Sequence, residues 1–495
     1  MDDGHRSPLR LVESATVRHG VALDPDRTRA PMPSTAPPPS RGWFAQLLLR
    51  LHFLAGVFVG PFVLVAALSG AVYAVAPSIE RVAYQHELTA PSTATARPLA
   101  DQVEAAQRWV DDRHPGDAVV EVRPAPEPGA TTRVMFHEDG LLESQTRAVF
   151  VDPGDAGVRG DLPVYGTSGS LPFRTWISTL HRSLFLGDVG RLYSETAASW
   201  LGIVSLAGIA LWAFRFRRAR RKRDLVLPDN RVTGYRRTFS WHAATGAWVL
   251  LGAVFLSATG ITWSHFAGDN VTALRSSLSW QAPTVDTALD GSSSMSSGEH
   301  AGHHGGGSMA MGAPTTTPEQ FDEVLAVARD SGVQAAEVRI RPPATADTAW
   351  TVEEIKLSWP VAMDAVAVDP GTMTVVSQVT WADYPLMAKA AKLGINTHMG
   401  ALFGLTNQVV LLLAALGIAA MVVFGYAMWW QRRSPAARVG RAPASGALAR
   451  APWWGTTAVV VVAVGLAMLL PTVGVTLLGF LLVDAVVTTF GRRSR

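Results

Sequence analysis

Hydrophobic and polar positions along this chain fall into long blocks rather than short alternations. Six apolar stretches, at residues 53–76, 196–214, 243–264, 402–430, 454–470 and 473–490, reach or approach the length of about 20 residues that a helix needs to cross a hydrocarbon core. The last two are short and meet at Pro471, which predicts a helical hairpin. Two long polar connections separate the first four stretches and carry a different pattern. In the first, Leu99 to Arg113 shows the period of an amphipathic helix, and runs at 118–123, 131–137 and 147–151 read as strands. In the second the order recurs, with a helix at 318–331 and strands near 335–341, 348–354 and 364–368. Asp-Pro-Gly turns the chain after the last strand of each. Residues 1–42, with a proline-rich run from Pro31 to Pro39, read as a disordered tail.

The blocks repeat at constant offsets. Ala148-Val149-Phe150-Val151-Asp152-Pro153-Gly154 returns 217 residues later as Ala365-Val366-Ala367-Val368-Asp369-Pro370-Gly371. The same offset takes His181 to His398, Gly187 to Gly404, Gly208 to Gly425 and Trp212 to Trp429. Earlier in each unit an offset of 190 takes His52 to His242, Gly56 to Gly246, Ser69-Gly70 to Thr259-Gly260, and Tyr73 to Trp263. The chain is therefore two copies of a helix–outer domain–helix unit. Two spans return each unit to its starting side, so the copies run parallel about an axis along the membrane normal. The expected layout is a first span at 43–76, an outer domain at 77–180, a second span at 181–214 and a basic loop at 215–239. A third span at 240–265, an outer domain at 266–397, a fourth span at 398–430, a loop at 431–452 and the hairpin at 453–490 complete it. Two small α+β domains are expected outside.

Composition agrees with a mainly α membrane protein: 48% of residues are hydrophobic and 17% charged, with a mean hydropathy of +0.18. A net charge of +3 is too balanced for a nucleic-acid binder. The absence of cysteine excludes disulfides, thiolate nucleophiles, cysteine-ligated clusters and covalently attached c-type haem. None of the four lysines follows a glycine, so there is no P-loop, and no dinucleotide fingerprint follows a strand. Orientation comes from arginine. The run from Arg215 to Arg223, the pair Arg432-Arg433 and the terminal Arg492, Arg493 and Arg495 belong on the cytoplasmic side, which puts both termini inside. The connections left outside are acidic: 14 Asp and Glu against 8 Arg and Lys over 86–175, and 15 against 7 over 266–392.

Four of the 13 histidines sit at repeat-related span ends: His52, His242, His181 and His398. Taken singly, each could be an interfacial ring bonded to a carbonyl. Two symmetric pairs at fixed offset point further. His52 and His242 open outward-running spans and lie near the cytoplasmic face; His181 and His398 precede inward-running spans and lie near the outer face. An imidazole pair flanking a bundle axis is what axial ligation of one haem requires. Gly56 and Gly246, one turn on, leave room for a flat macrocycle; for Gly56 with Gly60, close helix packing is the alternative.

These segments carry a family resemblance. LHFLAGVFVGPFVLVAALSGAVY, TLHRSLFLGDVGRL with GIALW, SWHAATGAWVLLGAVFLSATGITW, and NTHMGALFGL with GYAMWWQRR resemble the four helices of the PepSY-associated transmembrane family, over roughly residues 45–433. That family includes bacterial inner-membrane ferric-siderophore reductases with two b-type haems. The resemblance implies a four-helix haem bundle with PepSY-like extracytoplasmic domains, and His52, His242, His181 and His398 as haem ligands. It departs from the pattern in the C-terminal hairpin and in an insert, 291–313.

The insert has 13 Gly or Ser among 23 residues and carries His300, His303 and His304 with Met295, Met309 and Met311. Imidazole and thioether together suit copper; a solvated linker is the alternative. His265 reads as a carbonyl-bonded structural ring, and Asp484 as an interfacial partner for arginine. Three functions compete. The first is electron transfer through two haems from a cytoplasmic or quinol donor to an extracytoplasmic metal chelate, ferric or cupric. The second is a non-enzymatic sensor, assembly factor or protease-modulating protein of the bacterial cytoplasmic membrane. The third, a metal or haem transporter, is disfavoured by spans without carboxylates.

Overall fold

The computed structural model describes residues 42–113, 115–142, 144–219, 222–289, 316–433 and 442–493, backbone only at 224 and beyond 482. The chain runs through α1 (Trp43–Phe58), α2 (Gly60–Ala83), α3 (Gln85–Leu88), α4 (Leu99–Asp111), β1 (Val119–Arg123), β2 (Thr132–Phe136), β3 (Gln145–Val151) and β4 (Val158–Tyr165). It continues through α5 (Pro172–Ser183), α6 (Gly187–Arg218), α7 (Gly234–Ile261), α8 (Phe266–Ser277) and α9 (Pro318–Asp330). The second strand set is β5 (Val338–Arg341), β6 (Trp350–Glu354), β7 (Ala365–Val368) and β8 (Val375–Val379). Helices α10 (Leu386–His398), α11 (Gly404–Gln431), α12 (Trp453–Leu469) and α13 (Pro471–Arg493) follow.

Among the described residues, α2, α6, α7 and α11 are long and apolar enough to cross a membrane. They form a four-helix ring in which α2 and α7 each pack between α6 and α11. Small residues let these helices approach closely: Ala67, Ala253 and Ala419 meet with Ile418 at the centre. The outward faces keep large apolar side chains exposed, among them Trp248, Leu251, Leu206 and Leu413, as lipid contact requires. Helices α1 and α2 are nearly one rod, and the break between them has a local cause. Pro61 has no N–H to give the Val57 carbonyl, and Tyr426 Oη of α11 donates to that carbonyl instead, at 2.5 Å. Gly60 permits the approach, since a Cβ there would lie 3.1 Å from the Tyr426 ring.

The two polar connections join edge to edge. They form one eight-stranded antiparallel sheet in the order β4-β3-β2-β1-β5-β6-β7-β8. Each copy contributes four strands rather than three, because β4 and β8 extend the meander past the Asp-Pro-Gly turn. The copies join where β1 meets β5, with Val122 opposite Ile340. An exposed edge strand is an unpaired row of hydrogen-bonding groups, and two identical units can each cover the other's. Helices α4 and α9 pack together on one face, and a single core of Val122, Val134, Phe136, Phe321, Ile340 and Trp350 runs beneath both. The copies also cap one another: Asp322 on α9 accepts from the Leu99 and Ala100 N–H groups that open α4, at 2.8 and 2.7 Å.

Helices α12 and α13 form the hairpin, turning at Leu470-Pro471, and α13 docks on α6 and α8. Trp200 Nε1 donates to Thr476 Oγ1 at 2.8 Å, and Phe480 stacks on Phe58 with ring centroids 5.3 Å apart. Glu195, fully buried in α6, accepts from the Phe266 N–H that opens α8 and from Thr472 Oγ1 of the hairpin.

Candidate functional site

Two of the repeat-related histidines meet ring to ring. His52 on α1 and His242 on α7 face one another with ring centroids 6.2 Å apart and planes 84° apart. Each ring turns its Nδ1 to a backbone carbonyl of a neighbouring span, His52 to Val204 at 3.0 Å and His242 to Met421 at 3.2 Å. A carbonyl only accepts, so Nδ1 carries the proton and Nε2 keeps its lone pair. Val204 and Met421 are themselves separated by the offset of 217, so the second layer of contacts obeys the repeat as well.

His181 closes helix α5, and His398 closes α10. Their Nδ1 atoms lie 3.0 Å from Ser69 Oγ and 2.6 Å from Thr259 Oγ1. Both hydroxyls donate to carbonyls one turn back, Ser69 to Val65 at 2.8 Å and Thr259 to Phe255 at 2.7 Å, so each accepts from the imidazole N–H. The two rings occupy equivalent places in the repeat, each at the end of the helix that precedes a span. Glycine brings them in: a Cβ at Gly70 would lie 3.2 Å from His181 Cε1, and one at Gly260 would lie 3.8 Å from His398 Cε1. The chain leaves α5 abruptly, with Leu184 and Phe185 both in the left-handed region at φ 51° and 58°, a strained turn that sets His181 at the helix end. Ser69 follows His52, and Thr259 follows His242, by 17 residues, which at 1.5 Å per residue places the pairs about 25 Å apart along the bundle.

An imidazole–metal bond of about 2 Å on each side plus two ring radii of about 1 Å spans about 6 Å, which the His52–His242 separation of 6.2 Å matches. All four rings have their distal Nδ1 atoms fixed by acceptors, the arrangement that orients an imidazole ligand and fixes its tautomer. Among the described residues no cluster of three or more His, Asp or Glu could hold a bare ion. The donor set fits a haem.

Other expectations fare differently. Gly56 opens onto free space, whereas a Cβ at Gly246 would meet the flexible Met421 methyl at 2.8 Å. The glycines that front the rings are instead Gly70, Gly260 and Gly208, where a Cβ would lie 3.5 Å from His52 Cε1. The His265 ring lies tilted against the Phe266 ring, with centroids 4.6 Å apart and planes 50° apart. His300, His303 and His304, the tail and the Asp484 side chain lie outside the described residues. Sequence reasoning assigned no role to the hydroxyls of Ser69 and Thr259, although their recurrence as Ser-Gly and Thr-Gly was the signal. It also used Arg215 and Arg432 for orientation alone. They are repeat mates two turns beyond Gly208 and Gly425, and their guanidiniums lie over Phe239 and Phe53 at 4.7 and 5.2 Å. Arg215 Nη1 is buried without a partner.

The family model described as the PepSY-associated TM region matches residues 49–432. The chain belongs to this family. No curated protein matches it. The PepSY-associated region takes in all four paired histidines, the whole sheet and Arg432, and stops before the α12–α13 hairpin.

Proposed function

We propose that this chain carries electrons across a bacterial inner membrane through two b-type haems, one on each histidine pair, and reduces a ferric chelate on the side of the sheet. The observation that carries the reading is the matched second layer: four imidazoles in two pairs, each with Nδ1 tied to an acceptor that repeats with it. A haem held by two imidazoles would supply reversible one-electron exchange. His52 and His242 would hold one group and His181 and His398 the other. Arg215 and Arg432, over Phe239 and Phe53, would supply positive charge to acidic substituents of the first. The apolar walls contributed by α2, α6, α7 and α11 keep water from the path between the pairs.

In this reading the sheet is extracytoplasmic, as two PepSY-like halves, and the arginine-rich ends of α6 and α11 are cytoplasmic. With no nucleotide motif in the chain, the donor is a quinol or another protein. The test is an absorption spectrum of the purified chain, followed by anaerobic reduction and addition of ferric chelate. Two haems per chain and loss of the reduced bands on addition are expected. A haem-free protein would sink the reading, and haem that stays reduced would sink the choice of acceptor.

A further inference from the structure

The sheet face turned toward the spans is rich in arginine. Strand residues alternate faces: Val122, Val134, Ile340 and Val352 join the core under α4 and α9, which leaves Arg123, Arg133, Arg339 and Arg341 on the other side. Three of these are engaged. Glu121 pairs with Arg123 at 2.5 Å and Arg341 at 2.9 Å, and Glu353 pairs with Arg339. Arg133, cross-strand neighbour of Arg123, has no hydrogen bond or ion pair among the described residues and lies 5.5 Å over the Phe150 ring. Burial, with Arg123 and Arg174 close by, pulls its pKa down to about 10.

Helix α5 adds two more guanidiniums next to His181. Arg174 pairs with Glu80 at 2.8 Å, yet its Nε is buried without a partner. Arg182 donates to Tyr165 Oη at 3.3 Å, and its Nε is likewise buried and unpaired. Both act on Tyr73, one turn beyond Ser69. A buried donor left unmade costs about 1–3 kcal/mol, so the two unpaired Nε groups of Arg174 and Arg182, with the unpaired side chain of Arg133 close to Arg174, call for an acceptor. The repeat sharpens the point. The mates of Tyr73, Arg174 and Arg182 are Trp263, Ala391 and Met399, so only one half carries the cluster although both halves build the same scaffold. The cluster also stands inside connections that are acidic overall.

We propose that Arg133, Arg174 and Arg182 form a binding site for a carboxylate-bearing anion, between the sheet and the His181 ring. The planar guanidinium fork matches a carboxylate. Two sources present that chemistry: the propionates of a haem on His181 and His398, which rests on the function proposed above, and a soluble polycarboxylate chelate, which does not.

The full chain in lipid nanodiscs tests the site, with citrate as the probe in calorimetry and with haem midpoint potentials read by spectroscopic titration. The variants are Arg133→Gln, Arg182→Gln and Arg133→Lys, each accepted only with an unchanged melting temperature. Citrate binding that weakens at least tenfold in either Gln variant, and recovers in part with Lys, supports the site and a soluble source. Absent citrate binding, a shifted potential of the haem that His181→Ala removes supports the site and the propionate source. Unchanged potentials together with no Arg-dependent citrate binding overturn the proposal. A chain without haem defeats the electron-transfer reading alone, because the citrate measurement still decides the anion site.

Discussion

At the scale of the residue, the histidine pairs make the sharpest prediction. His52→Ala and His242→Ala should remove or perturb one and the same haem, and the double substitution should add little, because the two rings act as one site. His181→Ala and His398→Ala should affect the other haem. Haem per chain and midpoint potentials of each variant check this, and loss of the same centre in His52→Ala and His181→Ala would refute it. A second residue bears on stability. Glu121 is buried between Arg123 and Arg341, which hold its carboxyl down at about 2 against an ordinary 4.5. A depressed folded pKa contributes stability that is complete above pH 4.5 and is lost as the pH falls toward 2, roughly 3 kcal/mol over the whole window. The melting temperature should therefore drop between pH 5 and pH 3, and Glu121→Gln should flatten that drop while lowering stability at neutral pH. An acid profile identical in the two proteins would remove the pair from the account.

At the scale of the element, one of the contacts that join the two halves of the sheet is a helix cap. Asp322 lies in the second half and satisfies the first N–H groups of α4 in the first half. Asp322→Ala should cost about 1 kcal/mol, read as a lower thermal midpoint, with faster amide exchange at Leu99 and Ala100 and no change at the histidine pairs. Equal exchange in both proteins would mean that water replaces the cap. The helices α4 and α9 were legible from their apolar period, and three strands of each meander from alternation. The fourth strands were not. In β4, Val158 to Tyr165, Arg159, Gly160, Asp161 and Pro163 break any alternation, and the strand exists because β3 offers it a partner along its whole length.

At the scale of the whole molecule, the proposed orientation puts the sheet outside and the ends of α6 and α11 inside. A reporter fused after Arg223 or Arg433 should be active only in the cytoplasm, and one inserted at residue 300 only outside. Cytoplasmic activity at residue 300 would invert the molecule. The hairpin bears on the same scale: Thr472 and Thr476 of α13 reach Glu195 and Trp200 of α6, so α12 and α13 pack on one flank of a bundle that is otherwise two-fold.

Length and hydropathy of the apolar blocks, read in the sequence, were enough to yield the four spans, because crossing a bilayer leaves a helix little choice of composition. Constant offsets were enough to set His52 against His242, since parallel copies about one axis must bring equivalent residues to equal depth. Contacts between segments far apart in the chain could not be read that way. The closure of two meanders into one sheet, the carbonyls of Val204 and Met421 behind the inner rings, and the donation by Tyr426 that repairs the Pro61 break all depend on which backbone atoms lie opposite one another. A hydrogen bond is set by distance and angle, and no residue pattern encodes those until the chain has packed.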